Sequence, residues 1–429
     1  MENKALKYYF FILFSLIPIS ILIGPAMSLS NIILIDLSFL IFALLSKKNI
    51  FILNHTTKML FLLYFYLIFN SIISQDFLTS APRNFGFIRF IILFFAFNYF
   101  FKDNKYFNNI FYLWTLILLI VAFDIFIERF TGTNILGYGA EYVDGVLQSG
   151  GNRVVSFFKD EPIVGGYVNA FYLMIVGFLF ECNKNTSNNH KKIFLLISVF
   201  FLISILITGE RSNAIKALMG FLVFYYLNDN FTLKNKLLFI ISFVIIITFS
   251  ISKSEFLKLR YGHQLLHPIL NQLKSNDKKI DKSKVSGSEY INHYSSAIEV
   301  FKNYPIFGVG NKNYRVETCN NQSNIKYACS NHPHQILFEF LAEHGLIGSI
   351  ISIFILFNLI FTKFGTILRS KNFIQIGCLV YLFFLFTPLL PSGAFFADYN
   401  LNLFWINLAL MYSVGKKTNI YLFNQLKVK

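Results

Sequence analysis

FNNIFYLWTLILLIVAFDIFI, residues 107–127, carries one charged side chain, Asp124, in 21 positions. A helix of that length rises about 30 Å, the thickness of a bilayer's hydrocarbon, and a helix bonds its own backbone where no water can. The stretch therefore reads as a membrane-spanning helix. Working outward in both directions, the same reading applies to residues 8–24, 29–45, 59–74, 85–101, 163–180, 193–208, 212–227, 237–251, 346–361, 373–390 and 395–414. The expectation is an all-α, polytopic membrane protein with about 12 transmembrane helices and a large outward loop of short helices. Composition agrees, since 55% of the 429 residues are hydrophobic and 14% charged, against about 25% charged in a soluble domain. The chain then divides into residues 1–252, holding helices one to nine with an outward loop at 128–162, the long loop at 253–344, and residues 345–429 with the last three helices. The first apolar stretch lacks a small-residue cleavage site, which predicts a retained span and no cleaved leader.

The 38 Lys and Arg against 22 acidic residues give a net charge of +16. They form no single patch, so nucleic acid is not an expected partner. Nineteen basic residues fall in short connections and termini of one parity, among them Lys47, Lys48, Lys102, Lys105, Lys191, Lys192, Lys234 and Lys236. The opposite short connections hold five: Arg83, Arg129, Arg153, Lys159 and Arg211. The positive-inside rule then places both termini in the cytoplasm and the loops at 128–162 and 253–344 outside.

Cys319 and Cys329 sit ten residues apart in the long outward loop, whereas Cys182 falls at a cytoplasmic helix end and Cys378 inside a span. In an oxidising compartment a Cys319–Cys329 disulfide is expected, worth roughly 2 to 3 kcal/mol, with two free thiols as the alternative. His263 and His267 lack the carboxylate or cysteine partners of a zinc motif, so no metal is expected. Residues 274–288, KSNDKKIDKSKVSGS, read as a polar connection. Beyond them Tyr290, Ile291, Tyr294, Ile298 and Phe301 recur at helical spacing, predicting an amphipathic helix packed on the membrane body.

The loop ends in NHPHQILFEFLAEHGLIG, residues 331–348. Pro333 disfavours helix before it, while Ile336, Leu337, Phe340, Leu341 and His344 mark one helical face and Gly345 supplies a stop. His334 thus lies at a helix start, where the positive helix end favours neutral imidazole able to accept a proton near pH 7. Read from residue type alone, a capping histidine without chemistry is the alternative.

The run His334, Gln335, nine residues, Gly345, two residues, Gly348 resembles the signature of the O-antigen ligase and polymerase superfamily. NYPIFGVGN, residues 303–311, is similar to that family's Pro-hydrophobic-Phe-Gly-x-Gly turn. TGERSNAIKALMG, residues 208–220, resembles its Thr-Gly-x-Arg span entry, and RVVSFFKDEPIVGGYV, residues 153–168, its Arg-led loop. The resemblance implies a metal-independent glycosyltransferase of the bacterial inner membrane with its site facing the periplasm. It would need no cofactor and would move a glycan from an undecaprenyl-pyrophosphate donor to an acceptor hydroxyl, with inversion. The acceptor would be lipid A-core for a ligase or a lipid-linked glycan for a polymerase, with membrane lipids as the surrounding partners.

Those roles can be tested against residue chemistry. His334 is the expected general base, with His332 and Gln335 beside it as substrate-binding residues. A leaving diphosphate gathers negative charge that forked guanidinium groups match with two hydrogen bonds, which suits Arg153 and Arg211, although an arginine at a span end also serves as an interface anchor. Arg89, about five residues into its span, is a further diphosphate candidate because an unpaired charge there is costly. Asp160 and Glu161 follow Arg153 and could orient it or bind sugar hydroxyls; Asp36, Asp124 and Asp398 read as polar contacts in the bundle.

Gln335 replaces the commoner Asn, and near Gly287 and Ser288 the family's Arg is missing, for which Arg260 or Lys278, Lys279, Lys282 and Lys284 could compensate. No D-x-D pair and no phosphate-cradling glycine loop occurs, so a metal-bound nucleotide sugar is not the expected donor. A hydrolase would need a matched carboxylate pair. A secondary transporter is the reading from another class and would call for internal repeats that the sequence does not show.

Overall fold

The computed structural model describes residues 4–46, 50–102, 107–139, 142–143, 146–147, 153–182, 188–229, 231–237, 241, 244, 248, 252–261, 288–321 and 324–422. Most of residues 237–251, the expected ninth span, lies outside them, as do His263, His267, Gly287 and Lys278 to Lys284. The described chain is helical apart from two two-residue strands, Tyr142–Val143 and Val146–Leu147, which pair antiparallel. Five helical stretches are long and apolar enough to cross a membrane: Pro25–Leu45, Phe77–Phe100, Phe107–Thr131, Val164–Cys182 and Ile336–Ser370. A sixth arises if the bent pair Lys4–Ser15 and Ile17–Ile23 is one span. Pro18 explains the 40° bend, because its ring has no N–H to continue the ladder and crowds the carbonyl one turn earlier. The chain is thus a multi-pass membrane protein. Helices His55–Ile72, Asn188–Ile207, Arg211–Leu227, Phe373–Leu385 and Asp398–Ser413 cover further expected stretches.

Two compact units divide the chain, Met1–Trp114 with Tyr290–Lys429, and Thr115–Glu289. In the first, helix Asp398–Ser413 is buried on all sides from Leu401 onward, the pattern of a central helix. Trp405 stands edge-on to Phe87 at 5.3 Å and stacks on Phe90 at 6.0 Å. In the second unit, helix Val164–Cys182 has the same central character.

Caps fix where the helices of the first unit begin. Asn54 and Thr57 exchange side-chain and backbone bonds of 3.0 and 2.8 Å at the head of His55–Ile72, and Asn372 accepts from Gln375 N–H at 3.1 Å. The predicted amphipathic helix forms as Ser288–Asn303, and its expected face is buried only in part: Tyr290, Tyr294 and Phe301 are half-buried, with Tyr294 against Phe338 at 4.9 Å. Ile291 and Ile298 are exposed, while Ala297 and Val300 are buried with Val309, Tyr314 and Ala342. The small side chains allow close approach, and that decides the face over the larger isoleucines.

Candidate active site

In the first unit the His334 motif and the GVG turn are built as one piece. Gln335 heads helix Ile336–Phe361, its Oε1 accepting Phe338 N–H at 3.0 Å, so this amide is a helix cap. The helix breaks at Gly345, whose φ of 61° and ψ of −166° only glycine adopts readily. The break orphans carbonyls, and the turn before it supplies donors. Val309 N–H reaches Ala342 O at 3.1 Å and Gly310 N–H reaches Glu343 O at 2.9 Å; in return Leu346 N–H bonds Pro305 O at 2.8 Å and Ile347 N–H bonds Ile306 O at 3.0 Å. A Cβ on Gly345 would lie 2.5 Å from Gly308 N and from the Ile306 carbonyl, so the backbones touch where the glycines stand.

His334 precedes this helix with a left-handed φ of 60°. Its Nε2 is 3.4 Å from Ser330 Oγ, and its ring lies 4.2 Å from His332, 4.9 Å from His293 and 5.9 Å from Tyr290. Burial, reinforced by His334 and His293 and opposed by a bond to Ser392, pushes the His332 imidazole down to about 4. The histidine beside His334 is therefore uncharged at neutral pH. Because the Ser392 carbonyl can only accept, the 3.3 Å contact from His332 Nε2 assigns the proton to that nitrogen. His293, Tyr290 and Ser392 escaped the sequence reading; the first two stood on a recognised helix, but pairing with the motif is a tertiary event.

The disulfide joins Cys319 to Cys329, with Cα atoms 4.6 Å apart. Arg89 pairs with Asp398 at 2.6 Å and lies 4.7 Å over the Phe90 ring, which accounts for a cation at that depth. Asp36 is buried without a hydrogen-bond partner among the described residues.

In the second unit, the two Arg-led stretches meet. Val154 N–H donates to Thr208 O at 3.0 Å, which sets Arg153 against the turn Thr208-Gly209-Glu210-Arg211. Two further arginines hold that turn. Arg129 Nε donates to Ile207 O at 3.0 Å and stands 3.6 Å over the Phe256 ring, and Arg260 reaches Gly209 O at 2.8 Å through Nη2. Glu210 accepts from Gly165 N–H at 2.5 Å, Gly166 N–H at 3.2 Å and Asn213 at 2.7 Å. Burial pushes its carboxyl up to about 7, against these bonds and the nearby Arg153. Glu128 ties down the Arg153 loop by accepting from Val155 N–H at 2.9 Å and Ser156 N–H at 2.6 Å, and Asp124 bonds Ile135 N–H at 2.9 Å and the Ser156 hydroxyl. Asp160 and Glu161 are exposed, and the acid facing Arg153 is Glu210.

Four guanidinium groups thus collect around one turn, two of them, Arg129 and Arg260, fixed through backbone carbonyls. Arg129 was legible only as an outward span-end cation, and Arg260 only as a possible substitute for a missing arginine. Among the described residues no cluster of three or more His, Cys, Asp or Glu is placed to hold a metal.

No curated protein matches the chain. A family model described as O-antigen ligase matches residues 196–353, which include the TGER turn, the GVG turn and the His334 motif but not Arg153. Residues 196–353 are thus similar to the O-antigen ligase family, the same superfamily that the motifs resemble.

Proposed function

We propose that the protein is an inner-membrane glycosyltransferase of about twelve spans that transfers a glycan from an undecaprenyl-pyrophosphate donor to lipid A-core at the periplasmic face. The observation that carries this reading is His334, held ahead of a helix N-terminus beside an uncharged His332, within the segment that matches the O-antigen ligase family. His334 takes the proton from the acceptor hydroxyl as that oxygen attacks the sugar's anomeric carbon. The bond from that carbon to the diphosphate breaks, and the configuration inverts. Arg153 and Arg211, with Arg129 and Arg260 bracing the turn between them, receive the charge that builds on the leaving diphosphate. No metal is needed in this scheme because the guanidinium groups do that work. Arg89, engaged with Asp398, serves the donor only if the pair opens, and Glu161 remains available to sugar hydroxyls.

The test is an assay of purified, reconstituted protein with a lipid-linked oligosaccharide donor, offered lipid A-core or a second lipid-linked unit as acceptor. Transfer to lipid A-core with an inverted anomeric centre supports the ligase. Transfer only to the second lipid-linked unit makes the protein a polymerase with the same chemistry. Transfer to neither, with donor intact, contradicts both.

A further inference from the structure

Residues 386–397, FTPLLPSGAFFA, contain two prolines and a glycine between helices Phe373–Leu385 and Asp398–Ser413, so their backbone groups must find partners elsewhere. The partners belong largely to the His334 motif. Ser392 N–H donates to His334 O at 2.8 Å, and His332 Nε2–H donates to Ser392 O at 3.3 Å. Phe395 N–H donates to both carboxylate oxygens of Glu339, at 2.9 and 3.1 Å. Tyr294, on the helix that also carries His293, donates to Leu389 O at 3.4 Å.

Glu339 is 2% exposed, and no Lys or Arg lies within 4.0 Å of it among the described residues. Burying a polar acid side chain without a close cation is costly, and an apolar residue would fill the same space more cheaply. What the side-chain oxygens add is acceptor capacity for a loop amide. It stands in the first turn of the helix that His334 precedes. The five-residue step from His334 to Glu339 is therefore closed against the three-residue step from Ser392 to Phe395. That closure fixes the carbonyl of a non-glycine residue whose left-handed backbone has to be held by its surroundings.

We propose that Glu339 is a positioning residue for His334, acting through the loop 386–397, which sets the direction of the imidazole. The inference rests on His334 being the base, and the experiment separates the two ideas. Wild type, Glu339→Ala, Glu339→Gln, Ser392→Pro and Ser392→Ala are purified, and two quantities are read: kcat and KM for the lipid-linked donor, and the rate of His334 carbethoxylation by diethyl pyrocarbonate relative to His55. A base displaced by about 1 Å loses on the order of a hundredfold in rate. Glu339→Ala should therefore lower kcat by roughly that factor with KM little changed, and should alter His334 reactivity while His55 keeps its own. Glu339→Gln, which retains one acceptor oxygen, should recover part of both. Ser392→Pro, which lacks the amide proton, should change His334 reactivity, and Ser392→Ala, which keeps it, should not. If Glu339→Ala cannot be purified, the Ser392 pair decides by the same reactivity readout. Unchanged His334 reactivity in Glu339→Ala or Ser392→Pro overturns the positioning role, whatever happens to kcat. Altered reactivity in an enzyme whose turnover survives loss of His334 leaves the positioning intact and removes the base assignment instead.

Discussion

Arg153 and Arg211 differ from Arg129 and Arg260 in what their neighbours ask of them. The latter two donate to main-chain carbonyls at 3.0 and 2.8 Å, so they shape the turn. If the former two receive diphosphate charge, replacing either by Lys should still lose activity by on the order of tenfold or more, since an ammonium is a point charge and cannot reproduce the fork. Near wild-type turnover in Arg153→Lys and Arg211→Lys at equal protein level would reduce both to interface anchors. Glu210 makes a separate statement about pH. Its folded-state carboxyl titrates near 7 and its unfolded one near 4.5, so between those values the folded protein holds a proton that the unfolded chain has released. Stability should fall as pH rises through that window, by up to about 3 kcal/mol, and level off above it. Thermal midpoints of Glu210→Gln should lack this decline; an identical slope in the variant would place its origin elsewhere. At this scale the sequence showed the cations but not their carbonyl partners. A guanidinium bonded to the Gly209 carbonyl 51 residues away leaves no local pattern.

Helix Ile336–Phe361 was legible in both of its halves, because Pro333 forbids helix ahead of it and Gly345 interrupts the apolar period. What was not legible is why the interruption is tolerated. Four backbone hydrogen bonds from the 305–310 turn replace those lost at the break, and they require Gly345 and Gly308 to approach without side chains. Gly345→Ala places a Cβ on a backbone in a glycine-only region and against the Ile306 carbonyl. It should cost about 3 kcal/mol or more and abolish activity together with stability. A thermal midpoint within a degree or two of wild type would show that the turn yields to the methyl group. The amphipathic helix Ser288–Asn303 shows the opposite case. Its period was read correctly and its buried face in part: Tyr290, Tyr294 and Phe301 are half-buried as expected, but Ala297 and Val300, which offer less hydrophobic area than the exposed Ile291 and Ile298, fit closest to Val309 and Tyr314.

For the molecule as a whole, the nineteen-to-five distribution of basic residues predicts one orientation in the membrane. Exposed Leu136 in the 128–162 loop and exposed Cys182 report on opposite sides of it. In spheroplasts a membrane-impermeant maleimide should label Leu136→Cys directly and native Cys182 only after lysis, while Cys319 and Cys329 should stay unlabelled until reductant is added. The reverse pattern would turn the protein over and put His334 in the wrong compartment. The central claim, that His334 is the base, is tested most directly by the transfer rate of His334→Ala in proteoliposomes with saturating lipid-linked donor and acceptor. Loss of a general base costs about a hundred- to ten-thousandfold, so transfer should fall below a hundredth of wild type while donor binding persists, and His332→Ala should lose less. A His334→Ala enzyme that keeps more than about a tenth of the wild-type rate would contradict the account.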